Sequence, residues 1–209
     1  MSAPNASRSV LLAGASGLVG RELLAQLLAE DGTTVHALLR RDVPDLPASP
    51  RLLHHRIDFA RPCALPSAHE LYIALGTTLK NAGSQAAFRA VDLDAVANIA
   101  RAAQQAGVKR VAVVSALGAD AASSVFYNRI KGAMEAQLAA LGFARLVIAR
   151  PSLLAGSRTR LGQPPRRGEQ LALALIAPIG GLLPARLRPI DAAVVARAMR
   201  TALRRDGPA

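Results

Sequence analysis

Tyr127 and Lys131 are the two residues whose types and spacing most directly suggest chemistry. They lie in "SSVFYNRIKGAMEAQL", where apolar residues recur every three or four positions and predict a helix. Four residues apart on a helix, a phenol and an ammonium group share one face. A free tyrosine has a pKa of about 10, and a nearby cation lowers it toward the range of a general acid or base. The alternative is structural: Tyr127 borders the core, and Lys131 forms a modest surface pair with Glu135.

A glycine-rich stretch, "LLAGASGLVGREL", predicts a phosphate-binding loop between the first strand and the first helix. Glycines allow a tight turn and a close approach of the backbone, and the N–H groups at the helix start bind a pyrophosphate. The spacing is GxxGxxG rather than the more usual GxGxxG. The alternative is a set of glycines that serve close packing alone. The predicted cofactor-binding residues of this loop are Gly14, Ala15, Ser16, Gly17, Leu18, Val19 and Gly20.

Two arginines, Arg40 and Arg41, end the second predicted strand, "TVHALLR". A site for NAD usually has Asp or Glu at this position to bind the ribose hydroxyls. A guanidinium group instead suits a 2′-phosphate, which it grips with two parallel hydrogen bonds. The sequence therefore predicts that NADP(H) is preferred over NAD(H). A solvated basic turn is the alternative.

Two further strand ends are predicted to border the cofactor, because ligands of open parallel sheets bind at the carboxyl ends of the strands. Asp58 and Phe59, which end the third strand, are expected beside the adenine. The fourth strand ends in "ALGTT", and its residues expected near the cofactor are Leu75, Gly76, Thr77 and Thr78. Both sets are equally compatible with ordinary strand termini.

Strands rich in Val, Leu and Ile alternate with helical patterns along most of the chain, which predicts repeated βαβ units on a parallel sheet. The rhythm breaks after Pro151 and ends in one last helical pattern, "DAAVVARAMRTALRR". The predicted fold class is α/β, a doubly wound parallel sheet (Rossmann fold) with a small C-terminal cap. We expect one domain over residues 1–209, with the core over about 8–155 and the cap with the final helix over about 156–209.

Composition narrows the classes of partner and compartment. The net charge is +12, and much of the excess lies in the C-terminal third. A basic face attracts nucleic acid or acidic lipid, but the absence of Trp and of any nucleic-acid-binding motif argues against specific nucleic-acid binding. No apolar stretch is long enough for a membrane span. A polar N-terminus and a single cysteine, Cys63, predict a cytoplasmic protein without a secretory signal.

The four histidines, His36, His54, His55 and His69, show no metal-ligand spacing with cysteines or carboxylates, and no metal site is predicted.

The motifs "GASGLVG", "LLRR", "ALGTT", "VVSALGA", "FYNRIKGAMEAQL" and "VIARPSLLAG" occur in an order that resembles the short-chain dehydrogenase/reductase superfamily. The chain is most similar to its small atypical members, the Tat-interacting-protein-like and NmrA-like proteins. The resemblance implies that Tyr127 is the general acid in carbonyl reduction, or the base in the reverse direction. It implies that Lys131 holds the nicotinamide ribose and favours the tyrosinate, and that Ser115 hydrogen-bonds the substrate oxygen. Ser123 and Ser124 compete with Ser115 for that role.

The segment "RPSLL" after the sixth strand matches the family segment that passes the nicotinamide, and its predicted cofactor residues are Arg150, Pro151, Ser152 and Leu153. A short cap departs from the sugar-nucleotide enzymes of the superfamily, which carry a large C-terminal substrate domain. Two functions follow. The first is an NADP(H)-dependent oxidoreductase acting on a small carbonyl or alcohol substrate. The second is a non-catalytic NADP(H)-binding regulator or sensor that is read by a protein partner.

Overall fold

In the computed structural model, residues 7–61, 63–155 and 188–205 are described. The main sheet has six strands: β1 Arg8–Ala13, β2 Thr33–Leu39, β3 Leu52–Arg56, β4 Glu70–Ile73, β5 Arg110–Val114 and β6 Arg145–Ala149. They are all parallel and lie in the order β3-β2-β1-β4-β5-β6. The chain leaves the centre at β1 in one direction and returns at β4 in the other, so the carboxyl ends of these two strands flank a topological switch point.

Helices cover both faces of this sheet, and the predicted fold class is therefore confirmed. The long helical pattern after β4 contains a π-helical segment, Ala90–Ala95, between two α-helices. Two short strands, β7 Leu154–Ala155 and β8 Ile190–Asp191, pair in parallel beside the main sheet. The helices are α1 Leu18–Leu28, α2 Leu79–Ala82, α3 Gln85–Arg89, α4 Val96–Gln105, α5 Phe126–Ala139 and α6 Ala192–Arg204.

The two faces of β1 belong to different halves of the core because side chains alternate along a strand. Leu11 lies in the half that contains residues of α4 and α5, whereas Val10 and Leu12 lie in the half that contains residues of α1 and α6. Burial on both faces explains why the strand is apolar from Val10 to Ala13. The final helix α6 packs against α1 and completes one layer of the domain. The rest of the predicted cap, residues 156–187 and 206–209, lies outside the described residues.

None of the helices in the described ranges has the length and apolar character needed to cross a membrane.

Candidate functional site

The glycine loop joins β1 to α1 at the switch point, and its three glycines face different surroundings. Gly14 has a φ of +91°, and a Cβ there would lie 2.5 Å from the Ala74 carbonyl oxygen. A Cβ on Gly20 would lie 1.9 Å from the Gly14 oxygen, so the fold itself requires both of these glycines. A Cβ on Gly17 would meet its nearest neighbour, the Gly14 oxygen, at 3.4 Å, an ordinary contact distance. The packing of the fold therefore does not by itself require a glycine at position 17.

Helix α1 begins directly after Gly17. Gly17 is its N-cap residue and provides no side-chain hydrogen bond to the first turn. The N–H groups of a first helical turn have no partner within the helix, and together with the helix dipole they attract an anion. Ala15 and Val19 are buried and anchor the loop, while Leu18 and Ser16 are half-buried. The loop therefore offers backbone N–H groups to a ligand, as a pyrophosphate site requires.

Arg40 and Arg41 follow β2, the strand next to β1, and both are exposed. Neither side chain has a hydrogen bond or ion pair with any residue in the described part of the chain. Because β1 and β2 are parallel neighbours, the two guanidinium groups follow β2 at the same sheet edge as the glycine loop. Both side chains are available to a ligand, and their contact with a 2′-phosphate stays a prediction.

The two residues after β3 that were expected beside the adenine have different environments. The Phe59 side chain is buried in the core, and its carbonyl oxygen accepts a hydrogen bond from Asn98 Nδ2 at 3.1 Å. Asp58 remains largely exposed; its Oδ2 lies 3.3 Å from Arg61 Nε. An adenine contact from Phe59 would therefore involve its backbone rather than its ring. The role of both residues stays a prediction.

The loop after β4 contacts the helix that carries Tyr127 and Lys131. A Cβ on Gly76 would lie 3.3 Å from Asp92 Oδ1 and 3.8 Å from Lys131 Nζ. Thr77 N–H donates to Asp92 Oδ2 at 2.9 Å. Leu75 packs against the core, and the Thr78 hydroxyl caps α2. The loop predicted to border the cofactor thus lies directly against Lys131.

Lys131 is buried and paired with a residue that the sequence did not single out. Its Nζ lies 2.7 Å from Asp92 Oδ1, and the two side chains are 5% and 1% exposed. The structure therefore pairs Lys131 with Asp92 rather than with Glu135. Tyr127 is half-buried, and its ring centroid lies 5.4 Å from that of Phe88.

The sequence does not single out Asp92, because no local sequence feature distinguishes it from Asp94. Both lie in one helical pattern, "AVDLDAVANIA", but Asp92 is fully buried, whereas the Asp94 side chain is 49% exposed. The π-helical segment Ala90–Ala95 contains both aspartates. Such segments are frequent at functional sites, although no sequence pattern announces them.

Ser115 follows β5 and has a buried hydroxyl group that lacks a hydrogen-bond partner within the described part of the chain. Of its two competitors, Ser123 uses its hydroxyl to accept from Val125 N–H, and Ser124 is exposed. The loop after Ser115 lies tightly on α5, because a Cβ on Gly132 would come within 2.1 Å of the Ala121 nitrogen. The unpartnered hydroxyl therefore belongs to the one serine of the three that is buried.

The segment after β6 is held on both sides. Arg150 donates from Nε to Glu135 Oε1 at 2.9 Å and from Nη2 to the other carboxylate oxygen. The Pro151 carbonyl oxygen accepts from Leu117 N–H at 2.9 Å, which joins this segment to the loop after Ser115. The Ser152 hydroxyl donates to the Arg188 carbonyl at 2.5 Å, and the half-buried Leu153 leads into β7. The segment lies beside the β5 loop, and its contact with a nicotinamide stays a prediction.

Comparisons with known proteins agree with this geometry. Residues 14–154 match the model of a family described as NAD(P)H-binding. Protein FMP52, mitochondrial, of Eremothecium gossypii is 35% identical over 152 residues, which are 72% of this chain and 68% of that protein. The Aspergillus fumigatus protein of the same name is 35% identical over 202 residues, 91% of this chain and 84% of its own.

Solved structures share the fold at low sequence identity. MoeE5 in complex with UDP-glucose and NAD matches with a TM-score of 0.67 and 22% identity, over 96% of this chain and 73% of its own. The Bordetella bronchiseptica enzyme WbmG in complex with NAD matches with a TM-score of 0.69 and 16% identity, over 100% of this chain and 72% of its own. The predicted NAD(P)-binding Rossmann domain is therefore confirmed.

The expectation of a cytoplasmic protein is wrong, because the curated relatives are named as mitochondrial proteins. The expectation depended on a polar N-terminus and a single cysteine. A single cysteine is compatible with any compartment that keeps thiols reduced, so it does not distinguish one such compartment from another.

Proposed function

Because the chain belongs to the NAD(P)H-binding family, we propose that it is an NADP(H)-dependent oxidoreductase of the atypical short-chain dehydrogenase/reductase type. Its substrate would be a small carbonyl compound or the corresponding alcohol. The membership supports cofactor binding and an oxidoreductase class. The phosphate preference, the acid–base residue and the reaction are our proposals from the site.

The residues of the switch point fit the cofactor. The glycine loop and the start of α1, which lacks a side-chain cap, would receive the pyrophosphate. Arg40 and Arg41 would bind the 2′-phosphate, since both are exposed and lack partners among the described residues. Lys131 would hold the ribose next to the nicotinamide, beside the loop that follows β4. When bound, the reduced cofactor supplies a hydride to a carbonyl carbon.

Side chains of the protein would hydrogen-bond to the substrate oxygen and exchange a proton with it. Tyr127 would donate its phenolic proton to that oxygen during reduction and accept a proton from the alcohol in the reverse direction. Ser115 would donate a hydrogen bond to the same oxygen and so orient the substrate. The Asp92 carboxylate offsets part of the positive field of Lys131. We therefore assign Lys131 chiefly to holding the ribose and only secondarily to acidifying the phenol.

The observation that favours catalysis over simple cofactor sensing is the buried, unpartnered Ser115 hydroxyl group. A buried polar group without a partner costs about 1–3 kcal/mol, and such groups are rare in folded proteins. Ser115 Oγ is the one hydroxyl among five such side-chain atoms in the described part of the chain, and it lies at the carboxyl edge where ligands of parallel sheets bind. A substrate oxygen would supply the missing partner, whereas a sensor that binds cofactor alone has no need of this hydroxyl.

The test is a cofactor titration followed by nicotinamide fluorescence. We expect NADPH to bind at least tenfold more tightly than NADH, and we expect the double variant Arg40→Ala/Arg41→Ala to abolish that difference. The matched control is Lys109→Ala/Arg110→Ala, which removes two adjacent exposed basic residues from the opposite edge of the sheet. It should leave the preference unchanged.

Equal binding of NADPH and NADH by the wild-type chain would refute the phosphate preference and leave the fold intact. If neither nucleotide bound, the proposed oxidoreductase function would be wrong. A screen of small aldehydes and ketones with NADPH would follow, with its oxidation read at 340 nm.

A further inference from the structure

Five large hydrophobic side chains are exposed among the described residues, and three of them lie at the carboxyl edge of the sheet. Leu79 begins α2 after β4, Leu117 follows β5, and Val125 immediately precedes α5. The other two are Leu53, on the edge strand β3, and Val194, on α6. Single exposed apolar residues are ordinary on a protein surface, but three beside a candidate site indicate a surface that receives an apolar ligand.

Two of these side chains lie in the segment that joins the residues proposed to bind the substrate oxygen. Leu117 comes two positions after Ser115, and its N–H donates to the Pro151 carbonyl oxygen at 2.9 Å. Val125 comes two positions before Tyr127 and is the N-cap residue of α5. Leu117 is 40% exposed and Val125 is 54% exposed, although the backbone of each is held by the fold. We refer to Leu117 and Val125 as the apolar pair.

The segment that carries the apolar pair is poor in charge. Between Ser115 and Tyr127 the one charged residue is Asp120, whose carboxylate accepts a backbone N–H of the same segment. Arg129, the next cation along the chain, donates to two carbonyl oxygens of this segment. Arg150, after β6, is paired with a carboxylate of α5. A phosphate or carboxylate on the substrate would therefore meet no free cation along this described segment.

We propose that Leu117 and Val125 determine substrate specificity, and that the substrate is an apolar aldehyde or ketone whose hydrocarbon chain packs on them. This inference rests on the proposed function, in which Ser115 and Tyr127 bind the carbonyl oxygen. With the oxygen held by these two groups, the rest of the substrate lies beside the segment that carries the apolar pair. Contact between the two removes apolar surface of both the substrate and the protein from water, which is favourable.

Hydrocarbon burial makes catalytic efficiency depend on the length of the substrate chain. A CH₂ group that is fully transferred out of water improves binding about fourfold. A substrate on an exposed pair of side chains keeps part of its own surface in water, so the gain for each CH₂ group is smaller. We therefore expect a gain of about twofold to fourfold for each CH₂ group.

The experiment measures kcat/KM with NADPH for propanal, pentanal and heptanal in the wild type and in Leu117→Ala/Val125→Ala. In the wild type, kcat/KM should rise by about twofold to fourfold for each added CH₂ group. The double variant should flatten this series, so that heptanal loses at least about tenfold more than propanal does. Alanine is used at Val125 because serine or asparagine would add a side-chain cap to α5.

The matched control is Leu53→Ala/Val194→Ala, which truncates one exposed leucine and one exposed valine away from the segment between Ser115 and Tyr127. It should leave the dependence on chain length unchanged. Circular dichroism and NADPH titration of both double variants check that the fold and the cofactor site are intact. If Leu117→Ala/Val125→Ala does not fold, the two single variants decide in its place.

Two results would overturn the inference while the wild-type chain still reduced propanal. One is a wild-type kcat/KM that is equal within about twofold for the three aldehydes. The other is a dependence on chain length that persists in full after truncation of the apolar pair. If the wild-type chain bound NADPH but reduced no aldehyde or ketone, the proposed function would be refuted, and this inference with it.

Discussion

The chain has two tyrosines, and each lies beside a carboxylate and a cation, but with opposite consequences. Tyr72 donates to Glu70 Oε2 at 2.9 Å, and Arg204 donates to the same carboxylate. Burial, and next the charge of Glu70, raise the pKa of Tyr72 well above its ordinary value. Its proton is therefore fixed in a hydrogen bond, which makes Tyr72 a structural residue.

At the other edge of the sheet, the carboxylate contacts the cation. Asp92 holds Lys131, and Tyr127 packs against Phe88 and is only half-buried. The same three chemical groups thus form a closed structural unit in one place and a candidate acid–base unit in the other. The difference depends on how the groups are arranged, and not on which groups are present.

The amino and carboxyl edges of the sheet also differ in how their polar groups are paired. At the amino edge, Arg204 donates to both Glu30 and Glu70, and Arg8 and Arg200 add further ion pairs to these two carboxylates. At the carboxyl edge, the Ser115 hydroxyl and the two arginines after β2 lack partners among the described residues. The paired charges of the amino edge stabilise the fold, whereas these unpaired polar groups of the carboxyl edge are available to ligands.

The largest expected effect comes from exchanging each tyrosine for phenylalanine. Tyr127→Phe should lower turnover by about 10²–10⁴-fold, the usual contribution of a general acid–base residue, with NADPH affinity unchanged. Tyr72→Phe should leave turnover unaltered and lower the free energy of unfolding by about 1 kcal/mol, because Glu70 loses one donor. Steady-state kinetics and urea denaturation measure the two quantities. Full turnover in Tyr127→Phe would remove the catalytic assignment and favour the sensor function.

A smaller effect is expected from the amino-edge network. Arg204→Met leaves the buried Glu70 without its main cation, so the free energy of unfolding should fall by about 3–5 kcal/mol. Arg41→Met is the matched control, because Arg41 is exposed and has no partner among the described residues. It should change stability by less than about 0.5 kcal/mol. Similar urea midpoints for the two variants would contradict the contrast between the edges.

The sequence predicts the parts of the molecule that local spacing determines. Strand and helix alternation led to the correct fold class, and the glycine loop, predicted from its spacing, lies at the switch point. Tyr127 and Lys131 share a helix, as their spacing required. These features depend on residues within one or two turns of each other, which is the range over which patterns are informative.

Such local patterns do not predict contacts between distant segments of the chain. The sequence pattern places Tyr72 in a strand and Tyr127 in a helix. It does not show which of the two phenols hydrogen-bonds to a carboxylate. Arg204 meets Glu70 across 134 positions, and Lys131 meets Asp92 across two separate elements. Asp92 and Asp94 differ only in which way the π-helical segment turns them. Long-range pairing therefore decides which polar residues are structural.

The smallest expected effect is on the pH dependence of stability. The pKa of Tyr72 is raised in the folded chain, whereas an unfolded tyrosine titrates near about 10. Its contribution to stability is therefore complete below about pH 10 and falls as the pH rises further, because the unfolded chain releases a proton that the folded chain retains. Between pH 10 and 11 the wild-type chain should lose about 1 kcal/mol more than Tyr72→Phe. Urea midpoints of the wild type and of Tyr72→Phe at the two pH values measure this difference. If the stability of Tyr72→Phe declined as steeply as that of the wild type between these pH values, the pKa of Tyr72 would not be raised in the folded chain, and its assignment as a structural tyrosine would fail.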